Sequence, residues 1–123
     1  MNALEKQVGG THYKKLKIQP IELIAKADLN FFQGNIVKYI SRYESKNGVE
    51  DVKKAKHYAE LAWELQPKNH SGWLKVVSTK KYCIENGFDE RKTNIIFHAV
   101  LGNYVSVIKE CNSLIEELNK EKL

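Results

Sequence analysis

Residues 30–66 read NFFQGNIVKYISRYESKNGVEDVKKAKHYAELAWELQ, and this stretch decides the fold. Asn30 is a typical N-cap, and the apolar residues after it recur at helical spacing to about Tyr43. Asn47-Gly48 is a strong turn signal, because glycine readily adopts a positive φ. A longer helix then runs from about Val49 to Gln66, with apolar positions at Val52, Ala55, Ala59, Ala62 and Trp63. The short connection between the two helices predicts an antiparallel hairpin.

The same signals continue on both sides of this hairpin. Pro20 is suited to the first position of a short helix that ends near Asp28. Ser71 and Asp89 are candidate caps for two further helices, and a final amphipathic helix follows the Gly102-Asn103 turn and extends to about Lys120. No segment alternates with period two over the length of a strand. The sequence therefore predicts an all-α bundle of about five to six helices, built from two helical hairpins after an irregular N-terminal segment.

Length and composition bound the class of protein. The 123 residues are 42% hydrophobic and 28% charged, which is ordinary for a globular domain. We expect a single compact domain in which residues 67–123 pack on residues 1–66. Apolar runs of only a few residues predict no membrane span, and the N-terminus has no apolar signal core, so we expect a cytoplasmic protein. Cys83 and Cys111 fall at apolar helical positions and predict buried thiols.

The net charge of +5 is concentrated in the first half of the chain. Residues 1–60 contain 11 basic and 7 acidic side chains, whereas residues 61–123 contain 9 and 8. This asymmetry favours an anionic ligand such as a nucleotide, a polyphosphate or nucleic acid. Nucleic acid is the weakest of these expectations, because the excess is modest and no recognised nucleic-acid-binding motif is present.

Three polar residues of the first hairpin helix form a stripe beside its apolar side. Asn35, Lys38 and Arg42 are spaced i, i+3, i+7 and therefore lie on one face. Lysine supplies a point charge and arginine a two-pronged donor for phosphate oxygens, while asparagine offers both a donor and an acceptor. The stripe suits a phosphate with its sugar or base. An ordinary solvated face with Asp–Arg pairing is the alternative interpretation.

The second hairpin helix repeats the spacing with Asp51, Lys54 and Tyr58. Across a short hairpin, Asp51 would face Arg42 or Lys38. The carboxylates of this helix are interspersed with lysines, which makes a poor metal cage, and the HExxH and CxxC motifs are absent from the chain. The sequence therefore predicts no metal site.

A second candidate site lies near the N-terminus, at Gly9-Gly10-Thr11-His12-Tyr13. Paired glycines let backbone N–H groups approach an anion closely. Near neutral pH, His12 would act as an acid, as a base or as a hydrogen-bond donor to a phosphate. The P-loop pattern GxxxxGK[ST] is absent. A flexible turn is the alternative interpretation.

Four motifs in order resemble the SaV-like family of small bacteriophage proteins, some of which are described as nucleotide kinases without a P-loop. The resemblance covers about residues 7–66 and is carried by Val8-Gly9-Gly10-x-His12-Tyr13, Ile18-Gln19-Pro20-Ile21-Glu22, Asn35-x-x-Lys38-Tyr39-x-x-Arg42 and Lys46-Asn47-Gly48-x-Glu50-Asp51-x-x-Lys54-Ala55. It implies a kinase that converts deoxynucleoside monophosphates to diphosphates in the cytoplasm of an infected bacterium, with ATP or another nucleotide as phosphoryl donor.

The resemblance also implies roles for individual residues. His12, Lys38 and Arg42 are the implied catalytic residues. The implied nucleotide- and phosphate-binding residues are Gly9, Gly10, Tyr13, Asn35, Tyr39, Asp51 and Lys54.

Two other functions stay open at this point. A non-catalytic binder that sequesters a nucleotide second messenger of host antiviral defence needs the same cations. A host-protein interaction module would use the acidic end of the last helix, at Glu116, Glu117 and Glu121. We also expect a homo-oligomer, because a small helical chain readily completes a site through a second copy.

Overall fold

The computed structural model describes residues 3–8, 15–70 and 72–121. Within these ranges it contains six α-helices and no β-strand, which confirms the all-α prediction. The helices are α1 (Pro20–Lys26), α2 (Phe31–Arg42), α3 (Val49–Leu65), α4 (Trp73–Glu85), α5 (Glu90–Val100) and α6 (Tyr104–Glu121), with short 3-10 turns at Ala3–Glu5 and Tyr43–Ser45. None of the helices described is long and apolar enough to cross a bilayer.

Side-chain caps set two helix starts where the sequence predicts them. The Asn30 side chain accepts from the Gln33 N–H at 2.8 Å, and the Gln33 side chain accepts from the Asn30 N–H at 3.0 Å. This reciprocal pair satisfies two backbone donors at the start of α2. Asp89 caps α5 in the same way, by accepting from the Lys92 N–H at 2.8 Å. Ser71, the predicted cap of α4, lies outside the described residues, and Gly72 directly precedes that helix.

The core lies where α2, α3, α5 and α6 meet. The α2–α3 and α5–α6 hairpins pack on each other, with α3 against α6 and α2 against α5, while α1 and α4 flank them. Helix α3 presents only small side chains at Ala55, Ala59 and Ala62, all fully buried, and these permit close approach of its neighbours. The largest fully buried apolar side chains include Ile36, Ile40, Tyr82, Ile95 and Ile96.

A buried amide ties α2 to α5. The Gln33 side chain is fully buried, and its Nε2 donates to the carbonyl oxygens of Ala99 and Val100, each at 3.0 Å. Those carbonyls belong to the last turn of α5, where helical oxygens lack the usual i+4 partner, and the Ala99 oxygen also accepts from the Gly102 backbone N–H at 3.1 Å. Gln33 thus hydrogen-bonds both to the start of α2 and to the end of α5. Its own buried amide is thereby hydrogen-bonded through both its nitrogen and its oxygen, as buried polar groups generally are.

One tryptophan differs from the sequence expectation. Trp63, predicted on the apolar side of α3, is 55% exposed. Ala62, the neighbour of Trp63, is fully buried and occupies the core position instead. The placement of Trp63 on the buried side was therefore wrong.

The prediction that both cysteine thiols are buried is confirmed, and their burial predicts slow chemical labelling. Cys83 and Cys111 are both free and buried. Burial raises the pKa of Cys83 to about 11, although a hydrogen bond with Thr93 acts in the opposite direction. Burial also raises the pKa of Cys111, to about 12. Because the thiolate is the reactive form, iodoacetamide at about pH 8 is expected to label neither residue quickly in the folded protein. Mass spectrometry of native and guanidinium-unfolded samples measures this, and rapid native labelling would contradict the burial.

Candidate functional site

Three cationic side chains surround the ring of Tyr39 on the α2–α3 hairpin. The Nζ atoms of Lys38 and Lys54 lie 4.7 and 5.4 Å from the ring centroid, and the guanidinium carbon of Arg42 lies 4.7 Å from it. Cations at these distances are attracted to the negative face of an aromatic ring. We call Lys38, Tyr39, Arg42 and Lys54 the Tyr39 cluster. It concentrates positive charge at one place on the surface.

The helical spacing explains how the cluster forms. Lys38, Tyr39 and Arg42 come from consecutive turns of α2, and Lys54 reaches the same ring from α3 across the hairpin. The predicted stripe of Asn35, Lys38 and Arg42 is half-buried along its whole length. The prediction that it lies at the rim of the core is confirmed. The sequence alone did not show that Lys54 shares the same ring.

A buried carboxylate holds Arg42 in place. Asp51 is fully buried, and its two oxygens accept from Arg42 Nε and Nη2, both at 3.3 Å. The Asn47 backbone N–H donates to the same carboxylate at 3.2 Å. Of the two cations that Asp51 was expected to face, the structure selects Arg42. Asp51 lies beneath the cluster and acts as a positioning residue, because none of its surface is open to a ligand.

Aromatic rings continue away from the cluster. The ring of Tyr58 stacks on that of Tyr39, with centroids 6.1 Å apart and planes inclined by 16°. Phe31 then meets Tyr58 edge to face at 5.8 Å, and Phe31 is itself 70% exposed. We call Phe31, Tyr58 and Tyr39 the aromatic row. The sequence-based site omitted Phe31 and Tyr58, although Tyr58 follows Lys54 by one helical turn.

Asn35 lies beside this row with a fixed orientation. Its Nδ2 donates to the Phe31 carbonyl oxygen at 2.8 Å, and a carbonyl accepts only from the amide nitrogen. The amide oxygen is therefore the atom available to a ligand. Asn35, Phe31 and Lys38 line a depression of about 160 Å³ between α1 and α2.

Some of the sequence-predicted site cannot be placed. Gly9, Gly10, His12 and Tyr13 lie outside the described residues, so the structure does not place them relative to the Tyr39 cluster. In the described part of the chain, no group of three or more histidine, cysteine, aspartate and glutamate side chains is arranged to hold a metal ion.

A larger cavity lies elsewhere among the described residues. It measures about 400 Å³, sits between α1 and α4, and shares no lining residue with the cluster. Lys17, Lys26 and Lys81 line it together with Glu22 and Glu85. Because its opposite charges nearly balance, it lacks the excess positive charge that distinguishes the Tyr39 cluster.

Comparison with known proteins gives a match to a protein family. Residues 8–60 match a family described as a protein of unknown function, DUF3310. The match spans α1, α2 and most of α3, and therefore includes the Tyr39 cluster, but it ends before α4. No curated protein and no solved structure matches the chain significantly.

Proposed function

We propose that this protein binds a nucleotide on the α2–α3 hairpin, with its phosphate at the Tyr39 cluster and its base on the aromatic row. The observation that carries the proposal is the convergence of Lys38, Arg42 and Lys54 on one ring beside an exposed Phe31. Lysine and arginine are the usual partners of phosphate, and aromatic faces are the usual partners of bases.

The charges favour an anion at this place. Asp51 offsets the charge of Arg42, whereas no carboxylate of the described residues lies within 4.0 Å of the Lys38 or Lys54 ammonium. Two like charges near one ring repel each other until an anion bridges them. A phosphate group between Lys38 and Lys54 would supply that anion and would accept charge-assisted hydrogen bonds from both.

The aromatic row suits the rest of the ligand. The Tyr58 ring lies between the other two, with its centroid 5.8 Å from that of Phe31 and 6.1 Å from that of Tyr39. The resulting separation of Phe31 from Tyr39 matches a base joined to its phosphate through a sugar. The Asn35 amide oxygen beside Phe31 accepts a hydrogen bond. Among the nucleobases, it would favour one that carries an exocyclic amino group.

The proposed activity follows from the resemblance to SaV-like phage proteins. In it, a deoxynucleoside monophosphate receives a phosphoryl group from ATP or another nucleotide in the cytoplasm of an infected bacterium. Lys38 and Arg42 would stabilise the charge of the transferring group, so that catalysis rests on positioning and electrostatics. His12 would contact the acceptor phosphate, and Gly9, Gly10 and Tyr13 would close the site.

One observation favours a non-catalytic binder as the second candidate. Arg42 already donates twice to the buried Asp51, and this pairing restrains its movement toward a transferring phosphoryl group. Such a protein would sequester a nucleotide second messenger of host defence without changing it. Both candidates use the same cations, and the fate of the ligand distinguishes them.

Removing the two lysines is expected to abolish most of the nucleotide affinity. Lys38→Ala and Lys54→Ala should each weaken binding about tenfold, and the double variant about 100-fold, because each loses a charge-assisted hydrogen bond of about 1.5 kcal/mol. Isothermal titration with a panel of nucleoside monophosphates and cyclic nucleotides measures the affinities. Lys53→Ala is the matched control, because Lys53 neighbours Lys54 but pairs with Glu50 on the exposed side of α3.

The same panel with added ATP decides between the two candidates. A diphosphate product that disappears with Lys38→Ala establishes the kinase, whereas recovery of unchanged, tightly held nucleotide establishes the binder. If no nucleotide binds, or if the Lys38 and Lys54 variants bind as well as the Lys53 control, the proposed site is wrong.

A further inference from the structure

Helix α4 carries most of its apolar side chains on the outside. The exposed fractions are 80% for Trp73, 55% for Leu74 and 66% for Ile84, and Val76 and Val77 are exposed as well. Tyr82 and Cys83 bury apolar surface in the core near the C-terminal end of α4, but the other buried residues of the helix, Lys75 and Thr79, are polar. A helix that packs on a core normally exposes its polar residues and buries its apolar ones along its whole length. The arrangement indicates that the outward side of α4 is covered by something else.

These residues form one continuous face. Trp73, Val77, Lys80 and Ile84 are spaced i, i+4, i+7, i+11 and therefore share one side of the helix. Together with Leu74 and Val76 they make up what we call the α4 outer face. At ordinary side-chain areas, the exposed fractions correspond to roughly 500 Å² of apolar surface, more than scattered surface residues usually provide.

The two ends of this face have complementary shapes. Trp73 projects at the N-terminal end of α4. At the C-terminal end lies a groove of about 320 Å³, whose apolar walls include Cys83, Ile84, Phe88 and Phe97. Eleven residues, about 16 Å of helix, separate Trp73 from Ile84. An indole and an apolar groove therefore occupy opposite ends of the same side of one helix.

We propose that two copies of this chain pair through antiparallel α4 helices about a two-fold axis. In this pairing the Trp73 of each copy enters the groove of the other, and the axis passes near residues 78 and 79. A two-fold contact uses the same surface on both copies, so one arrangement fills both grooves and covers both indoles. With roughly 500 Å² of apolar surface on each side, plus the rim around it, the contact reaches the size of a modest specific interface.

The α4 surface favours a second copy over other occupants. A foreign protein would need its own projecting group and its own groove at the matching separation, whereas this chain already has both. Lys80 lies in the middle of the face, where its aliphatic stem would cover the partner's Val77 and its ammonium would reach solvent at the rim. The pairing involves neither α2 nor α3, so it does not depend on nucleotide binding.

Sedimentation equilibrium and light scattering at micromolar concentration test the proposal. The full chain is expected to show twice its 14.2 kDa mass, and Trp73→Glu should weaken association by at least about 30-fold, as for a central interface tryptophan. Trp63→Glu is the matched control, because Trp63 is also exposed but lies on α3. Lys80→Leu should tighten the dimer. Circular dichroism establishes that each variant retains its helices.

Cysteine cross-linking tests the antiparallel direction. In the proposed pairing, the two copies of Val77 approach within about 5 Å along the axis, whereas the two copies of Ile84 are about 16 Å apart. Val77→Cys should therefore form an inter-chain disulfide on mild oxidation, and Ile84→Cys should not, although it remains dimeric at high concentration. The native thiols do not interfere, because both are buried.

Three outcomes would overturn the proposal. They are a monomeric full chain, a dimer that Trp73→Glu leaves intact, or disulfides from both cysteine variants, which would indicate parallel pairing. A monomer that floats with vesicles of zwitterionic and anionic lipid would assign the α4 outer face to a membrane surface instead.

Discussion

Replacing Gln33 with glutamate is expected to lower the free energy of unfolding by about 4 kcal/mol at neutral pH. The Gln33 amide donates to the carbonyl oxygens of Ala99 and Val100 in a fully buried position. A carboxylate has no proton to donate, so one of its oxygens would face two carbonyl oxygens out of contact with water. Its other oxygen would still accept from the Asn30 N–H, and α2 would keep its start.

Urea unfolding of the Gln33→Glu variant measures this loss, and its pH dependence identifies the cause. The buried site raises the pKa of the introduced carboxyl above its unfolded value, because its charged form is both desolvated and repelled. Stability relative to the natural protein should therefore recover as the pH falls through that raised pKa, since the protonated carboxyl can again donate.

Two controls separate charge from packing at position 33. Gln33→Leu removes the hydrogen bonds without adding charge and should cost about 2 kcal/mol, with no dependence on pH. Gln66→Glu makes the same chemical change at an exposed residue and should change stability by no more than about 0.5 kcal/mol. If Gln33→Glu and Gln33→Leu lose equal stability at every pH, the hydrogen bonds from Gln33 to α5 are not the cause of the loss.

Replacing Asp51 with alanine is expected to cost about 3 kcal/mol of stability, the second large effect. Asp51 is fully buried and the Arg42 side chain is only 12% exposed, so the variant takes a carboxylate that accepts two hydrogen bonds away from a largely desolvated guanidinium. The Asn47 N–H also loses its acceptor. Both losses fall on the turn that joins α2 to α3, and thermal or urea unfolding measures their sum.

The matched variants at this position test the charge itself. Asp51→Asn keeps the volume and one acceptor oxygen but removes the charge, and about half of the loss is expected. Glu50→Ala is the neighbouring control. Its carboxylate pairs with Lys53 at 3.8 Å on the exposed side of α3, so its removal should cost less than about 0.5 kcal/mol. If Asp51→Ala is no worse than Glu50→Ala, the pair behaves as an ordinary surface ion pair.

The candidate site was predictable to the extent that it is local. Asn35, Lys38 and Arg42 share a stripe because helical geometry alone relates residues three and four apart. The short hairpin limited the expected partner of Asp51 to two residues, Arg42 and Lys38. Tyr58 was placed on the Asp51 and Lys54 stripe, but its ring contacts with Tyr39 and Phe31 were not found. Those contacts depend on how two helices rotate against each other, and no spacing within one helix encodes that rotation.

The sequence by itself determined the helices and most of their limits. Asn30 and Asp89 act through hydrogen bonds to backbone groups three residues away, and Pro20 and Gly48 act through the backbone dihedral angles that they permit. Both effects are local and have the same geometry in any fold. The Asn30-x-x-Gln33 pair was readable in the same way as a capping box.

Only the tertiary structure decided what those helices do to one another. It joined the Gln33 amide to the end of α5, brought Lys54 to the ring of Tyr39, and turned Trp73 outward with the rest of the α4 outer face. Each of these outcomes depends on surfaces contributed by helices distant in sequence. The direction in which a helix turns is set by the apolar area it buries against its neighbours, and the pattern of one helix specifies only one side of that contact.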